Sequence, residues 1–389
     1  MKKIIIYFAL VTLMAFRKED KGIIVSNPVN TAAVPSFTST AKGEVILSWT
    51  EKDASNKVSF YYSIYNGKGF NSPVKVPIVD SATTHAEGMP RLTVKKDGSM
   101  IVSFELKKDN PTSRFGSDLL YVYSADGVKW SEPMYVQADR NPNKSHSFSR
   151  PVRLADGEIG IIWLDEKLTA KGRSVKFART SPGKGFGEEK IIDNQACECC
   201  RIEAVVDGKG TLHIFYRDMY DDGSRDMSYI SSSDNGQTFS QPRNVYPDKW
   251  QVNACPHSGP SATVSPQGVL MTWYTGKEKA SGIKVCDVAT GKIVNAEISE
   301  KVRQPQITTT KSGNTFLTYA ESKIQGEDYY TAIALRKING KITTTYLSEP
   351  LADCSYPSIT TTIGNDVLVA YEKRMEGKKQ TIVWEKVQF

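Results

Sequence analysis

The chain reads as all-β, a seven-bladed β-propeller of four-stranded antiparallel blades. Three observations predict this fold. A phrase of about a dozen residues recurs seven times, the composition favours strands and turns, and no stretch carries apolar residues at helical spacing. The 389 residues include 18 Tyr, 14 Phe, 6 Trp, 28 Gly and 18 Pro, residue types that fit pleated strands and tight turns. A chain of this length would ordinarily divide into several cores, unless the architecture repeats.

The N-terminus comes first. Met1-Lys2-Lys3 precedes an apolar run from Ile4 to Phe16 that is too short to span a bilayer. Residues 1–16 are expected to be a signal peptide, and 22–389 a single propeller domain of an exported protein, periplasmic, on the cell surface or secreted. Phe16 stands where a lipobox needs its cysteine, so lipid anchoring is not expected. No later stretch reaches membrane length.

The recurring phrase is a Pro or its equivalent, an apolar residue, a polar turn, then a β-rich run ending in an aromatic residue. Its anchors are Pro35, Pro90, Pro151, Ile202, Pro260, Pro305 and Pro357, and its runs end at Trp49, Phe104, Trp163, Tyr216, Trp273, Tyr319 and Tyr371. The spacing, about 50 residues, is that of propeller blades. In the first four units an outer hairpin closes on Phe70, Trp130, Phe186 and Phe239. The seventh unit, ending at Thr381 to Val387, shows three strands. The segment Gly22 to Ser26 is expected to supply the fourth and remove the open edges.

Two outer turns stand apart. Ser232 to Phe239 (Ser-Ser-Asp-Asn-Gly-Gln-Thr-Phe) and Ser124 to Trp130 carry the pattern S-x-D-x-G-x-T-[WF], the second with its Gly displaced. Asp accepts backbone hydrogen bonds within such a turn, Gly permits positive φ, and the aromatic ring plugs the blade. These Asp boxes resemble those of the sialidase (neuraminidase) superfamily, and the likeness covers most of the chain as a fold. That family's six-bladed ring is the alternative to seven blades.

Reactive residues concentrate in the segments leading into the innermost strands, which a ring brings together at one mouth. These segments hold His85, Glu87, His146, Arg150, Cys197, Cys199, Cys200, Arg201, Cys255, His257, Arg303, Cys354 and Tyr356. In an oxidising compartment Cys199 or Cys200 is expected to pair with Cys255. Alternatively Cys197, Cys199, Cys200, Cys255 and His257, with His146 and His85 in reach, offer soft donors for copper or zinc. His213 and Cys286 read as packing residues.

Sialidases use a Tyr nucleophile activated by Glu, a separate Asp as acid and base, and three arginines that grip the substrate carboxylate. Ser355-Tyr356-Pro357-Ser358 leading to Tyr371-Glu372 resembles the family's last-blade stretch. The resemblance implies Tyr356 as nucleophile, Glu372 as its structural companion and Arg217 in the place of the second arginine. Arg201 stands where the activating Glu would be, and Glu203, on the same strand face, is its substitute. Arg91, Arg150, Arg201 and Arg303 are candidates to rebuild the anion site.

The expected function is therefore glycan hydrolysis of exo-sialidase type on a sialoside or other acidic sugar. Two alternatives stand beside it. One is a polysaccharide lyase on uronates, with His85 or His146 as base and Tyr356 as acid; the other is a metal-binding propeller. The net charge of +7 is spread through the chain rather than gathered on one face, so no nucleic-acid partner is expected. A monomer is expected.

Overall fold

The computed structural model describes residues 22–108, 116–168, 172–254 and 256–387. The stretch read as a signal peptide lies outside the described residues, as does Cys255. Among the described residues every regular element is a strand, and no helix is long and apolar enough to cross a membrane.

Seven antiparallel sheets follow one another along the chain. Blade one opens with Thr31–Ser39, blade two with Arg91–Val94, blade three with Ser147–Arg153 and blade four with Glu203–Val206. Ser261–Ser265, Val302–Thr309 and Asp353–Thr361 open blades five to seven. Each blade is a simple meander, so strands adjacent in sequence pair. Blade three departs from the expected four strands: its outer edge is split into Lys184–Phe186 and Lys190–Ala196, both paired with Arg173–Ser181.

The second strand of each blade is apolar on both faces, as a strand packed between two neighbours must be. Ile159–Leu164 is buried throughout. The seven run-ending aromatics, Trp49 to Tyr371, are all buried. Seven apolar clusters fill the seven gaps between successive blades. Phe70, Trp130, Phe186 and Phe239 each pack against one of them.

The last gap closes the ring. Leu368, Ala370, Ile382 and Trp384 of blade seven meet Val45, Leu47 and Trp49 of blade one. Ile23–Ile24 then adds itself to the blade-seven edge, Ile23 opposite Trp384 and Ile24 opposite Val383. The Val25 amide donates to the Ile382 carbonyl at 3.0 Å, and the Ile382 amide donates to Ser26 Oγ at 2.9 Å.

On the outer rim the Asp boxes hold as local devices. Asp234 accepts from the Thr238 amide and from Ser232 Oγ, while Gly236, at φ 83°, presses against the Phe177 ring with no room for a Cβ.

A Val25→Pro variant removes the closing donor. Its urea midpoint should report a loss of about 1–3 kcal/mol. An unchanged midpoint would mean that this strand does not close the ring.

Candidate functional site at the channel mouth

The lead-in segments reach the mouth through a repeated irregularity. Four inner strands slip register at the same level, between Ala33 and Ser36, Ser147 and Arg150, Arg303 and Gln306, and Ser355 and Ser358. Within each slip a non-glycine residue takes left-handed backbone: Val34 (φ 55°), Phe148 (58°), Gln304 (57°) and Tyr356 (48°). His257, leading into blade five, does the same at 47°. Val34, Gln304 and Tyr356 also precede proline, which favours extended backbone there. Each such residue costs on the order of 1–3 kcal/mol. A bulge of this kind re-aims its side chain, and those at Val34, Gln304 and Tyr356 line a common pit.

Hydrogen bonds from other mouth residues hold these bulges. The Val34 amide donates to Glu372 Oε1 at 2.9 Å, the Phe148 amide to Glu105 Oε1 at 2.5 Å, and the Tyr356 amide to Gln304 Oε1 at 2.7 Å. Glu372 thus holds the Val34 bulge through one oxygen. Its other oxygen accepts from Ser355 Oγ.

The segment leading into blade two crosses the mouth. Glu87 Oε2 accepts from the backbone amides of Arg201 and Gly259 at 2.8 and 2.9 Å, and Oε1 from Arg201 Nη1 at 2.6 Å. One carboxylate thus ties blade two to blades four and five. Burial opposes its charge, but Arg201 and the two amides outweigh that and hold its pKa below the usual range. Any side chain at Gly259 would run into Arg201, so the close approach requires glycine. Beside this clamp His85 Nε2 lies 3.2 Å from His257 Nδ1. Burial and the His257 ring lower the His85 pKa, keeping that imidazole neutral.

Arg91, Arg150, Arg201, Glu203, Gln304 and Tyr356 line one pit beneath the clamp. Arg150 Nη2 meets Glu203 Oε1 at 2.5 Å, so the carboxylate expected to serve Tyr356 is paired with an arginine instead. Arg201 is satisfied by Glu87. Arg91 differs: it is only 7% exposed, and its closest side-chain bond runs from Nη1 to the neutral Ser36 Oγ at 3.4 Å. Burial first, then Arg150 across the pit, pushes its pKa down to about 9. A buried guanidinium so placed is a demand for an anion. Tyr356 is 37% exposed. Its pKa is raised by burial, then by Glu372 and Glu87, so the phenol stays protonated.

Other candidates lie elsewhere. Arg217 is buried between blades four and five, donating to the carbonyls of Arg225, Ser258 and Tyr274. Arg303 donates to the carbonyls of Glu300 and Val302 and stacks on the Tyr274 ring. His146 is fully buried, with Nδ1 against Asp165 Oδ2 at 2.8 Å and no partner at Nε2. His213 bonds Tyr229 and Asp207, and Cys286 packs in the gap between blades four and five.

Cys197, Cys199 and Cys200 form a buried group with unbonded sulfurs. His257 does not join it, and neither does His146. Three contributors had no role in the sequence reading, and Glu105, inside a strand run, carried no signal for one. Glu87 stood in a lead-in segment without an assigned task. Gln304 carried a usable signal, since it precedes Pro305 as Tyr356 precedes Pro357.

The sequence pattern of the BNR repeat-like domain family matches residues 37–369. A comparison with curated protein sequences finds no match. Among solved structures, a protein of unknown function from Dyadobacter fermentans is similar at TM-score 0.52 and 15% identity, covering 95% of this chain and 99% of that one. An ulvan lyase, from a new family of polysaccharide lyases and bound to a GlcA(1-4)Rha3S unit, gives TM-score 0.57 at 11% identity, with 92% and 94% covered. The NanB sialidase of Streptococcus pneumoniae gives 0.52 at 11%, with 95% and 71% covered. At such identities the likeness is one of fold.

Glu105, which holds the Phe148 bulge, has its pKa raised from 4.5 to about 7, chiefly by burial. A raised carboxylate stabilises the fold at pH values below 4.5, and that contribution is lost as pH rises through about 7. Glu105→Gln keeps an acceptor oxygen and removes the titration. Its thermal midpoint should therefore fall less than that of the wild type between pH 4.5 and 7. Parallel curves would show that Glu105 does not titrate in this window.

Proposed function

The chain belongs to the BNR repeat-like domain family, and on that premise we propose that it is a glycan-cleaving enzyme whose central pit takes the carboxylate of an acidic sugar on Arg91. The observation that carries this reading is the buried Arg91 guanidinium, which among the described residues has no ion-pair partner and feels Glu203 and Glu87 only at longer range, in a pit that also presents Tyr356. The ulvan lyase of similar fold is bound to a GlcA-containing unit and a second neighbour is a sialidase, which supports it. Such an enzyme meets its polymeric substrate outside the cytoplasm, in keeping with the export read from residues 1–16.

Elimination across a uronate is the route these residues serve best. Arg91 neutralises the carboxylate and acidifies the neighbouring C–H, while Arg150 stays paired with Glu203. His85, held neutral beside the clamp, takes that proton on Nδ1, which gives up the Glu87 amide it accepts from in the free protein. The electron pair left behind forms the new C=C bond as the C–O bond to the leaving sugar breaks, and Tyr356 gives its phenolic proton to the departing oxygen. Hydrolysis of exo-sialidase type is the second reading. It is favoured by Tyr356 and Glu203 sharing one pit, and it requires a substrate carboxylate to displace Glu203 from Arg150.

The two routes leave different products. Uronate polysaccharides should yield an unsaturated, ultraviolet-absorbing end group, whereas sialosides would yield free sialic acid. Arg91→Ala should lower kcat/KM about 100-fold, mostly through KM, as loss of a charge-assisted carboxylate contact does. Tyr356→Phe should lower kcat by about 100-fold or more. Turnover unaffected by Arg91→Ala would remove the pit from the mechanism.

A further inference from the structure

We propose that Cys197, Cys199 and Cys200 form a three-coordinate thiolate site for a soft monovalent metal ion, copper(I) in biology, beside the glycan pit and independent of its chemistry. The three sulfurs all lie within 4.8 Å of one another, and those of Cys197 and Cys199 are 3.9 Å apart. Three sulfurs placed evenly around one ion, with metal–sulfur bonds of about 2.3 Å, stand about 4 Å apart. A single disulfide would need two sulfurs at bonding distance and would leave the third without a purpose.

The turn that carries them is pinned at both ends. On one side the Cys197 amide donates to the Arg217 carbonyl at 2.8 Å; on the other Arg201 is locked to Glu87 by backbone and side chain. Glu198, the one residue between Cys197 and Cys199, turns away to pair with Lys167. All three thiols point inward and Phe148 packs over them, so an ion held there would be screened from water.

Ligand count and charge select the metal. No histidine or carboxylate among the described residues joins the sulfurs within that 4.8 Å. His146 is turned to Asp165, and His257 to His85. A structural zinc ion asks for four ligands in a tetrahedron, whereas soft thiolates alone suit copper(I). Three thiolates around a monovalent cation carry a net charge of −2. Arg225 Nη1 stands 3.1 Å from Cys197 Sγ, and Arg217 holds a second positive charge nearby. On loading, each sulfur exchanges its bond to hydrogen for one to copper and releases the proton to water, with no change of oxidation state.

The test uses the full chain, reduced and stripped of metal, titrated without oxygen with copper(I) against a chromogenic copper(I) chelator. One copper per chain should be retained, and Cys197, Cys199 and Cys200 should become resistant to alkylation as judged by peptide mass spectrometry. The tight equivalent should be lost in Cys199→Ser and in Cys200→Ser. If those variants fail to fold, alkylation of the wild type in partial denaturant with and without copper(I) still decides, because the three named cysteines must be protected together and only when copper is bound. Copper taken wholly by the chelator, protection of other cysteines only, or retention in the Ser variants would each overturn the site. So would zinc binding at one equivalent where copper(I) fails.

Discussion

No blade of this ring can stand alone, because its second strand is apolar on both faces and needs a neighbour on each side. That requirement is met seven times over by wedge-shaped clusters, and the last can form only when Trp384 and Ile382 reach Trp49 and Leu47. Closure is thus a condition for burying the core, and it also fixes function. Once the blades stand in a ring, residues far apart in the chain, such as Arg91 and Tyr356, face a common pit whatever their sequence separation.

What the ring delivers, the bulges aim. Five mouth segments carry a left-handed non-glycine residue, and strain of that kind persists only where surroundings hold it. Here the holders are acidic or amide side chains drawn in at the mouth, Glu372, Glu105 and Gln304, each fixing a backbone amide. Charge therefore serves two ends at this mouth. Some carboxylates are spent on backbone geometry and two more neutralise Arg201 and Arg150, which among the described arginines of the pit leaves Arg91 open to an incoming anion.

Much of the architecture was legible from the chain alone, because blade period, run-ending aromatics and Asp boxes are local signals. The zipper strand could be read from a missing fourth strand and a β-branched segment at the other end. Partner choice at the mouth was not legible in the same way. Glu203 lies on the expected strand, but its oxygen goes to Arg150 of the preceding blade, a contact that no spacing encodes. His146 occupies the right segment yet lies two residues before the bulge at Phe148, and its side chain turns into the blade toward Asp165 rather than to the axis. Cys197, Cys199 and Cys200 lie together as near neighbours in the chain, whereas separating them from His257 needed three dimensions.

The central claim is that an acidic sugar anchors in this pit by its carboxylate, on Arg91. A crystal structure of the Tyr356→Phe protein with a uronate or sialoside ligand tests it most directly. The account predicts the carboxylate within hydrogen-bond distance, about 3 Å, of the Arg91 guanidinium. A ligand seated on the outer rim, or one whose carboxylate faces solvent with Arg91 still on Ser36, would contradict it.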